Sequence, residues 1–198
     1  MVEEKRAQKR QQILNAAMRV FAEKGFYHTK ISDIAQAAEV AHGTVYLYFE
    51  TKEELLLQIF EEKMDELIEY VRDEIGREPN AESKLRRLIT IQMNLIETNP
   101  DLTELLLLEA RQSGKFLRST AIDKIACYCS LIEEVLREGV EEGWIRPELE
   151  LSVAATILYC GIEGIATRWV LENKRGSLEE TAKAIIDLLI QGVKNPQK

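Results

Sequence analysis

Hydroxyl, phenol and ammonium groups lie close together in the stretch GTVYLYFETKEELL, residues 43–56. Thr44 and Tyr46 carry hydroxyl groups and Lys52 carries an ammonium group, and each of these can donate a hydrogen bond to a phosphate oxygen. Gly43 lacks a side chain, so another molecule can approach its backbone closely. This combination suits contact with a phosphate backbone better than it suits a catalytic centre or a closed pocket.

The elements that must position these side chains are two short helices joined by a tight turn. Residues 31–40 form an amphipathic run, and a second helix is expected from about His42 to Tyr48. Such a pair fits the DNA major groove, with the second helix presented to base edges. His42 begins that helix and is the predicted base-reading residue, with a merely exposed histidine as the alternative. Tyr48 is predicted either to contact DNA or to pack, and Thr29 and Lys30 are further predicted phosphate ligands.

Nearly the whole sequence shows the helical period, which predicts an all-α fold of about nine helices. We expect an N-terminal helix-turn-helix DNA-binding domain over residues 1–52 and a ligand-binding and dimerisation domain over residues 53–198. Apolar residues at the spacing that packs three short helices form the expected N-terminal core: Phe21, Phe26, Ile31, Ile34, Val40, Val45 and Phe49. The expected helices cover residues 9–24, 31–38, 42–48, 52–75, 81–98, 102–112, 116–142, 148–173 and 178–193.

Local signals mark several helix ends. Gly25 tolerates the left-handed conformation and is expected to end the first helix. Thr29 or Ser32 is expected to cap the second helix, and Thr51 is expected to cap the long helix that begins at Lys52. That long helix connects the two predicted domains, so it is the expected route by which one domain repositions the other.

The net charge of −8 is unevenly distributed along the chain. Residues 1–52 carry eight Lys and Arg against six Asp and Glu, which gives +2, and the remainder carries −10. Exposed charges more than ~8–10 Å apart are largely screened in physiological salt. A slightly basic N-terminal part on an acidic body is therefore compatible with DNA binding.

The composition argues against several other classes of protein. Because no stretch resembles a membrane span or a signal peptide, we expect a cytoplasmic protein with no membrane partner. The three cysteines and two histidines lack ligand spacing, so no metal site, disulfide framework or cofactor is expected. A helical hydrolase or ferritin-like enzyme would need a nucleophile with a base or paired Glu-x-x-His ligands, and a purely structural dimer would leave residues 43–56 unexplained.

The first 50 or so residues resemble the TetR family of one-component repressors. The resemblance implies a homodimer that binds a palindromic double-stranded DNA operator, with DNA contacts at the positions named above, and a helical remainder that binds an effector. The residues that carry it are Phe21, Gly25, Phe26, Thr29, Ile31, Ile34, Ala35, Val40, Gly43, Thr44, Val45, Tyr46, Phe49, Lys52, Glu53, Glu54 and Leu55.

Two positions depart from the usual turn of this family, which reads Ala-Gly-Val followed by Ser or Thr. Here the turn is Ala38-Glu39-Val40-Ala41. Glu39 replaces the glycine, and a positive φ at this position would strain it by about 1 kcal/mol. Ala41 supplies neither a helix cap nor a hydroxyl group for a phosphate.

Two N-terminal domains on half-sites ~34–36 Å apart are needed for specific binding, so the dimer surface is expected in the remainder of the chain. The last two helices carry small residues that permit close approach and an apolar stripe, and would form a four-helix interface as in the family. The alternative is that these residues pack inside one subunit. The predicted interface residues are Ala154, Gly161, Gly164, Leu178, Ala182, Ile185, Ile186 and Leu189.

A hydrophobic effector is expected between the central helices, because they carry more apolar surface than short helices need. Basic residues at the mouth of such a pocket could bind phosphates, with a solvated surface role as the alternative. The residues predicted to bind the effector are Met93, Ile96, Leu105, Leu108, Arg111, Gln112, Lys115, Arg118, Leu131, Leu158, Arg168 and Trp169.

The segment Leu108-Glu109-Ala110-Arg111-Gln112-Ser113 and the Trp169 region resemble the fatty-acid-degradation branch of the family. Members of that branch are repressors that long-chain acyl-coenzyme A releases from DNA. The resemblance therefore implies control of fatty-acid metabolism genes by an acyl-coenzyme A effector. The alternative is a repressor of an efflux pump that responds to drugs or other small hydrophobic molecules.

Overall fold

The computed structural model describes residues 2–109, 121–174 and 176–195. In these ranges the chain forms nine α-helices and no β-strand, which confirms the predicted fold class. A π-helical turn, Leu105–Glu109, follows the sixth helix. The helices are α1 (Val2–Lys24), α2 (Ile31–Ala37), α3 (His42–Tyr46), α4 (Lys52–Ile75), α5 (Ala81–Thr98), α6 (Pro100–Glu104), α7 (Ala121–Glu141), α8 (Leu151–Leu171) and α9 (Leu178–Val193).

Helix ends with a strong local signal lie where the sequence predicts them. The bounds of α4, α5 and α9 agree with the expected ranges. Gly25 follows α1 with a φ of 77°, a left-handed conformation that glycine adopts readily. The Thr51 hydroxyl accepts a hydrogen bond from the Glu54 N–H at 3.1 Å, so Thr51 caps α4 as predicted.

The first two helices begin differently from the prediction. Helix α1 begins at Val2, because the polar residues of its first turns are good helix formers and acids lie at its positive end. The predicted caps of α2, Thr29 and Ser32, are wrong, since Lys30 occupies the cap position. The Asp33 carboxylate accepts a hydrogen bond from the Lys30 N–H at 2.9 Å. This hydrogen bond, assisted by the Lys24 charge, lowers the pKa of Asp33 below its usual range.

Three further helices are shorter than predicted. Helix α3 ends at Tyr46, because the N–H groups after it bond to carbonyls in a turn. Where a helix over residues 102–112 was predicted, a short α6 begins at Pro100 and the π-helical turn follows it. Residues 110–112 of that prediction lie outside the described residues. Helix α8 begins only at Leu151 because a turn precedes it. Helix α7 is described from Ala121, and the predicted start at residue 116 lies outside the described residues.

The chain divides into two compact units. The first unit comprises Met1–Lys63 and Asp101–Ile122, and the second comprises Met64–Pro100 and Asp123–Lys198. One continuous helix, α4, belongs to the first unit over its N-terminal half and to the second over its C-terminal half. A domain boundary between residues 52 and 53 remains a prediction.

The core of the first unit contains the apolar residues that the helical spacing selected. Five of the seven predicted core residues are at most 4% exposed, whereas Ile31 and Val40 are half-buried. Helix α2 packs against both α1 and α3. The five buried residues are Phe21, Phe26, Ile34, Val45 and Phe49.

The second unit is built around α5, which packs against α8 and α9. The end of α7 turns at Gly143, whose φ is 69°, and Ile145 then forms a single antiparallel bridge with Lys194. No helix within the described ranges is both long and apolar enough to cross a membrane.

Candidate nucleic-acid interface and effector region

Helix α3 is anchored on one side and presents polar groups on the other. Val45 is fully buried, whereas His42 and Gly43 are exposed and Tyr46 is 49% exposed. The His42 and Tyr46 rings lie one turn apart, with centroids separated by 5.3 Å in an edge contact. These two rings therefore share the face that α3 offers to another molecule.

The packing of the chain does not require a glycine at position 43. A Cβ atom at Gly43 would meet no atom within 4 Å. The missing side chain therefore matters for a molecule that approaches from outside. Thr44 is half-buried, and neither its hydroxyl nor that of Tyr46 has a hydrogen-bond partner among the residues that the structure describes.

The turn between α2 and α3 contains a residue in the left-handed region. Glu39 has a φ of 52°, so the strain anticipated for a residue with a side chain applies here. The turn is held by hydrogen bonds from the Glu39 N–H to the Gln36 carbonyl and from the Val40 N–H to the Ala35 carbonyl. Ala41 is the N-cap of α3 and makes no side-chain cap, so α3 begins without that stabilisation.

Two predicted phosphate ligands make hydrogen bonds inside the first unit. The Lys52 ammonium donates to the Phe26 carbonyl at 2.7 Å and to the Thr29 carbonyl at 3.0 Å, and lies 4.3 Å from the Phe26 ring centroid. Thr29 is 2% exposed, and its hydroxyl donates to the Gly25 carbonyl at 2.8 Å. A phosphate contact from the Thr29 hydroxyl would break this buried hydrogen bond. A phosphate bound by Lys52 would have to share the ammonium group with the two carbonyls. Lys30 is exposed.

Two exposed apolar residues of the first unit were not predicted from the sequence. Leu47 is 73% exposed and Tyr27 is 61% exposed. Leu47 lies four residues after the exposed Gly43, so helical periodicity could have identified its position. Tyr27 contacts the buried Phe26 ring edge-on, with centroids 5.3 Å apart, and no local sequence signal indicates its exposure.

The residues predicted to bind an effector are distributed over both units. Met93, Ile96, Leu131 and Leu158 are buried in the second unit, at 9% exposure or less. Leu105 is buried and Leu108 is half-buried in the first unit. The predicted residues Arg111, Gln112, Lys115 and Arg118 lie outside the described residues.

Arg168 and Trp169 line an open cleft of ≈ 470 Å³ at the junction of α8 and α9. The Trp169 indole N–H donates to the Gly176 carbonyl at 3.1 Å, which fixes one wall. Arg168 is exposed and lies 3.8 Å from the Glu172 carboxylate. Because this contact is long and solvated, the Arg168 guanidinium stays available to an anion.

A buried polar pair in the second unit was not predicted. Tyr128 is fully buried and its hydroxyl donates to the Gln92 side-chain oxygen at 2.8 Å. Burial raises the pKa of Tyr128, so the hydroxyl remains a neutral donor. Helical periodicity marks both positions as buried. The hydrogen bond itself joins residues 36 apart in the sequence, so no local pattern predicts it.

The predicted dimer residues fall into two groups. Leu178, Ala182 and Ile186 are buried within a single chain, so they hold α9 against the rest of the second unit. Ala154, Ile185 and Leu189 are half-buried, and Gly161 and Gly164 are exposed. Other apolar side chains of α8 and α9 are more than half exposed: Val153, Ile157, Leu171 and Leu188.

The three cysteines are free thiols in this structure. Cys127 and Cys160 are exposed, and burial raises the pKa of the half-buried Cys129. Within the described part of the chain, no group of three potential ligands could hold a metal ion.

A short helix with a buried anchor and an exposed polar face, reached through a tight turn from another helix, defines a helix-turn-helix DNA-binding protein. Comparison with known families makes this class more specific. Residues 13–59 match the family described as "Bacterial regulatory proteins, tetR family", and residues 60–192 match "YsiA-like protein, C-terminal region". The chain belongs to the TetR family, so it is a DNA-binding transcriptional regulator and not an enzyme.

Three relatives are similar to the chain over nearly its whole length. A curated relative, the fatty acid metabolism regulator protein of Bacillus subtilis, is 33% identical over 93% of this chain and 95% of its own. The solved structure of the fatty acid degradation regulator FadR from Bacillus halodurans has a TM-score of 0.85 at 33% identity and covers 93% of this chain and 95% of that one. The FadR structure from Bacillus subtilis, a complex with stearoyl-CoA, has a TM-score of 0.84 at 32% identity over 92% of this chain and 98% of that one.

Proposed function

We propose that the protein is a homodimeric repressor of fatty-acid metabolism genes that long-chain acyl-coenzyme A releases from its operator. The observation that carries this proposal is the bound stearoyl-CoA in a FadR structure that is 32% identical to the chain over 92% of its length. The fatty acid metabolism regulator of Bacillus subtilis supports the same gene class. As a transcriptional regulator, the protein would act in the cytoplasm.

The aliphatic interior of the second unit supports a lipid effector. The second unit buries many aliphatic residues on α5, α7 and α8, which an acyl chain can contact without loss of hydrogen bonds. Met93, Leu131 and Leu158 are among them. Arg168 is a candidate for binding coenzyme A phosphates, since its guanidinium is exposed and weakly paired.

The exposed apolar surface of α8 and α9 supports a dimer. Val153, Ile157 and Leu171 lie along α8 with the exposed Gly161 and Gly164 between them. Groups of exposed apolar side chains mark protein–protein interaction sites. Glycines on the same helix allow a second helix to approach closely, and Leu188 of α9, 77% exposed, would fill such an interface.

Control of DNA binding would pass through α4. This helix begins at Lys52, next to the helix-turn-helix, and continues without a break to Ile75. A helix that moves as a rigid rod transmits a small displacement at one end to the other. An acyl chain in the second unit would shift α4 and change the separation of the two helix-turn-helix surfaces relative to their half-sites.

The test begins by selecting a duplex that the full-length protein binds from a random DNA library. Gel-shift titrations of that duplex then use acyl-coenzyme A with chains of roughly 8, 12, 16 and 18 carbons, since each added methylene increases the apolar area that can be buried. Free coenzyme A is the control. We expect release by the longer chains and none by free coenzyme A. Indifference to every chain length would refute the effector assignment, and release by a hydrophobic drug alone would favour the efflux-pump alternative.

A further inference from the structure

Half of the eight Lys and Arg side chains in residues 1–52 are engaged within the first unit. Lys52 already donates to two carbonyls, Arg10 bonds to Gln58 and Glu62, and Lys24 lies 3.6 Å from Asp33. Lys9 donates to Gln12. Phosphate binding depends on cations that are free to replace counterions. Among residues 2–52, the cationic side chains with neither a hydrogen bond nor an ion pair within the described structure are those of Lys5, Arg6, Arg19 and Lys30.

Arg6 is the one of these four that lines a cleft beside the end of α3. The cleft has a volume of ≈ 350 Å³ and lies within the first unit. Its walls are the first turns of α1 and the residues that follow α3. The lining residues are Glu3, Arg6, Ala7, Arg10, Leu47 and Tyr48.

A second donor lies in the same cleft. Tyr48 is half-buried, and its hydroxyl has no hydrogen-bond partner among the described residues. Arg10, one turn after Arg6 on α1, is held by Glu62 and lies 5.2 Å from the Phe49 ring centroid, so it fixes the cleft wall. Glu3 is the acid in the cleft, which leaves two arginines against one carboxylate.

We propose that Arg6 and Tyr48 together bind one phosphate of the DNA strand next to the base pairs that α3 faces. A guanidinium and a phenol hydroxyl supply a charged and a neutral donor to the same group of oxygens. Leu47, which lines the same cleft and is 73% exposed, would contact the adjoining sugar. The inference rests on DNA binding by the first unit and is independent of the identity of the effector.

The two donors predict different salt dependences. Loss of one cation–phosphate contact makes the dependence of log K on log salt less steep by about 0.9 per protomer, and hence by about 1.8 for a dimer. One contact with a slope of 0.9 raises the DNA affinity roughly fivefold when the salt concentration falls from about 1 M to 0.15 M. Two such contacts, one from each protomer, raise it roughly 30-fold. Loss of a neutral donor lowers the DNA affinity but leaves the number of released counterions, and hence the slope, unchanged.

The experiment measures the affinity of the dimer for a duplex selected from a random library, between about 0.05 and 0.3 M salt. We expect Arg6→Ala to reduce the slope by about 1.8, Arg6→Lys to retain it, and Tyr48→Phe to weaken binding roughly twofold to tenfold per contact at unchanged slope. The double variant should lose less binding free energy than the sum of the losses in the two single variants, because both donors bind the same phosphate.

Arg19→Ala is the matched control. Arg19 lies on the same helix, is exposed, and its side chain has no hydrogen-bond or ion-pair partner among the described residues. It is about 20 Å along α1 and about 140° around it from Arg6. Its slope should equal that of the unmodified protein. An unchanged slope in Arg6→Ala, or an equal reduction in Arg19→Ala, would overturn the inference while leaving DNA binding intact. Failure of the unmodified protein to bind any selected duplex would instead refute the proposed function.

Discussion

The turn of the helix-turn-helix stores strain at Glu39, and a single substitution should release it. Glu39 has a φ of 52°, in the left-handed region. That conformation costs a residue with a side chain roughly 1–2 kcal/mol, and the extra freedom of glycine in the unfolded chain offsets about 0.5–1 kcal/mol. Glu39→Gly should therefore stabilise the fold by about 0.5–1 kcal/mol, which raises Tm by about 1–4 °C for a chain of this size.

Thermal unfolding followed by circular dichroism measures this gain at one fixed protein concentration, because the proposed dimerisation would make Tm depend on concentration. Glu39→Ala is the control, since it removes the same carboxylate and retains the Cβ atom that conflicts with a positive φ. We expect no gain in Tm from Glu39→Ala. If alanine and glycine raise Tm equally, removal of the charge explains the effect and the argument from backbone strain is wrong.

Three further substitutions test a buried hydrogen bond, a helix cap and the proposed dimer surface. Tyr128→Phe should destabilise the protein by about 1–3 kcal/mol in urea unfolding, because the buried Gln92 oxygen loses its donor; a neutral result would mean that Gln92 finds another partner. Asp33 has a lowered pKa in the fold, so its stabilisation is present above its ordinary value of 3.8 and is lost as the pH falls through the lower folded value. The difference in Tm between the protein and Asp33→Asn should therefore shrink on acidification, and a constant difference would contradict this origin. Leu188→Asp should convert the dimer to a monomer in sedimentation, with Asp187→Asn on the same helix as the control; a dimer that persists would exclude this surface.

Local features of the fold could be predicted from sequence. Thr51 caps α4 and Gly25 ends α1, because the signals for both lie within four residues of the helix end. The buried positions of Val45 and Phe49 follow from helical spacing. The early start of α1 at Val2 was missed, because polar helix formers without an apolar stripe do not show the helical period.

Contacts between distant residues could not be predicted in this way. The Lys52 ammonium is engaged by the Phe26 carbonyl, 26 residues earlier, and no local pattern indicates this bond. Periodicity placed Ile186 on the apolar stripe of α9 predicted to form the dimer interface and left Leu188 off it. Ile186 is buried within its own chain and Leu188 is exposed, because the period alone does not say what covers an apolar face. The Arg6 cleft likewise depends on the packing of α1 beside the end of α3.

Reciprocal linkage between acyl-coenzyme A and DNA is the decisive measurement for the proposal that acyl-coenzyme A releases the protein from its operator. The affinity of the protein for stearoyl-coenzyme A is measured by calorimetry with and without a saturating selected duplex, and the affinity for the duplex is measured with and without the effector. If acyl-coenzyme A releases the operator, both affinities fall by the same factor, roughly 5–150-fold. Equal effector affinity for free and DNA-bound protein would exclude this release, because such a ligand cannot shift the equilibrium away from the operator.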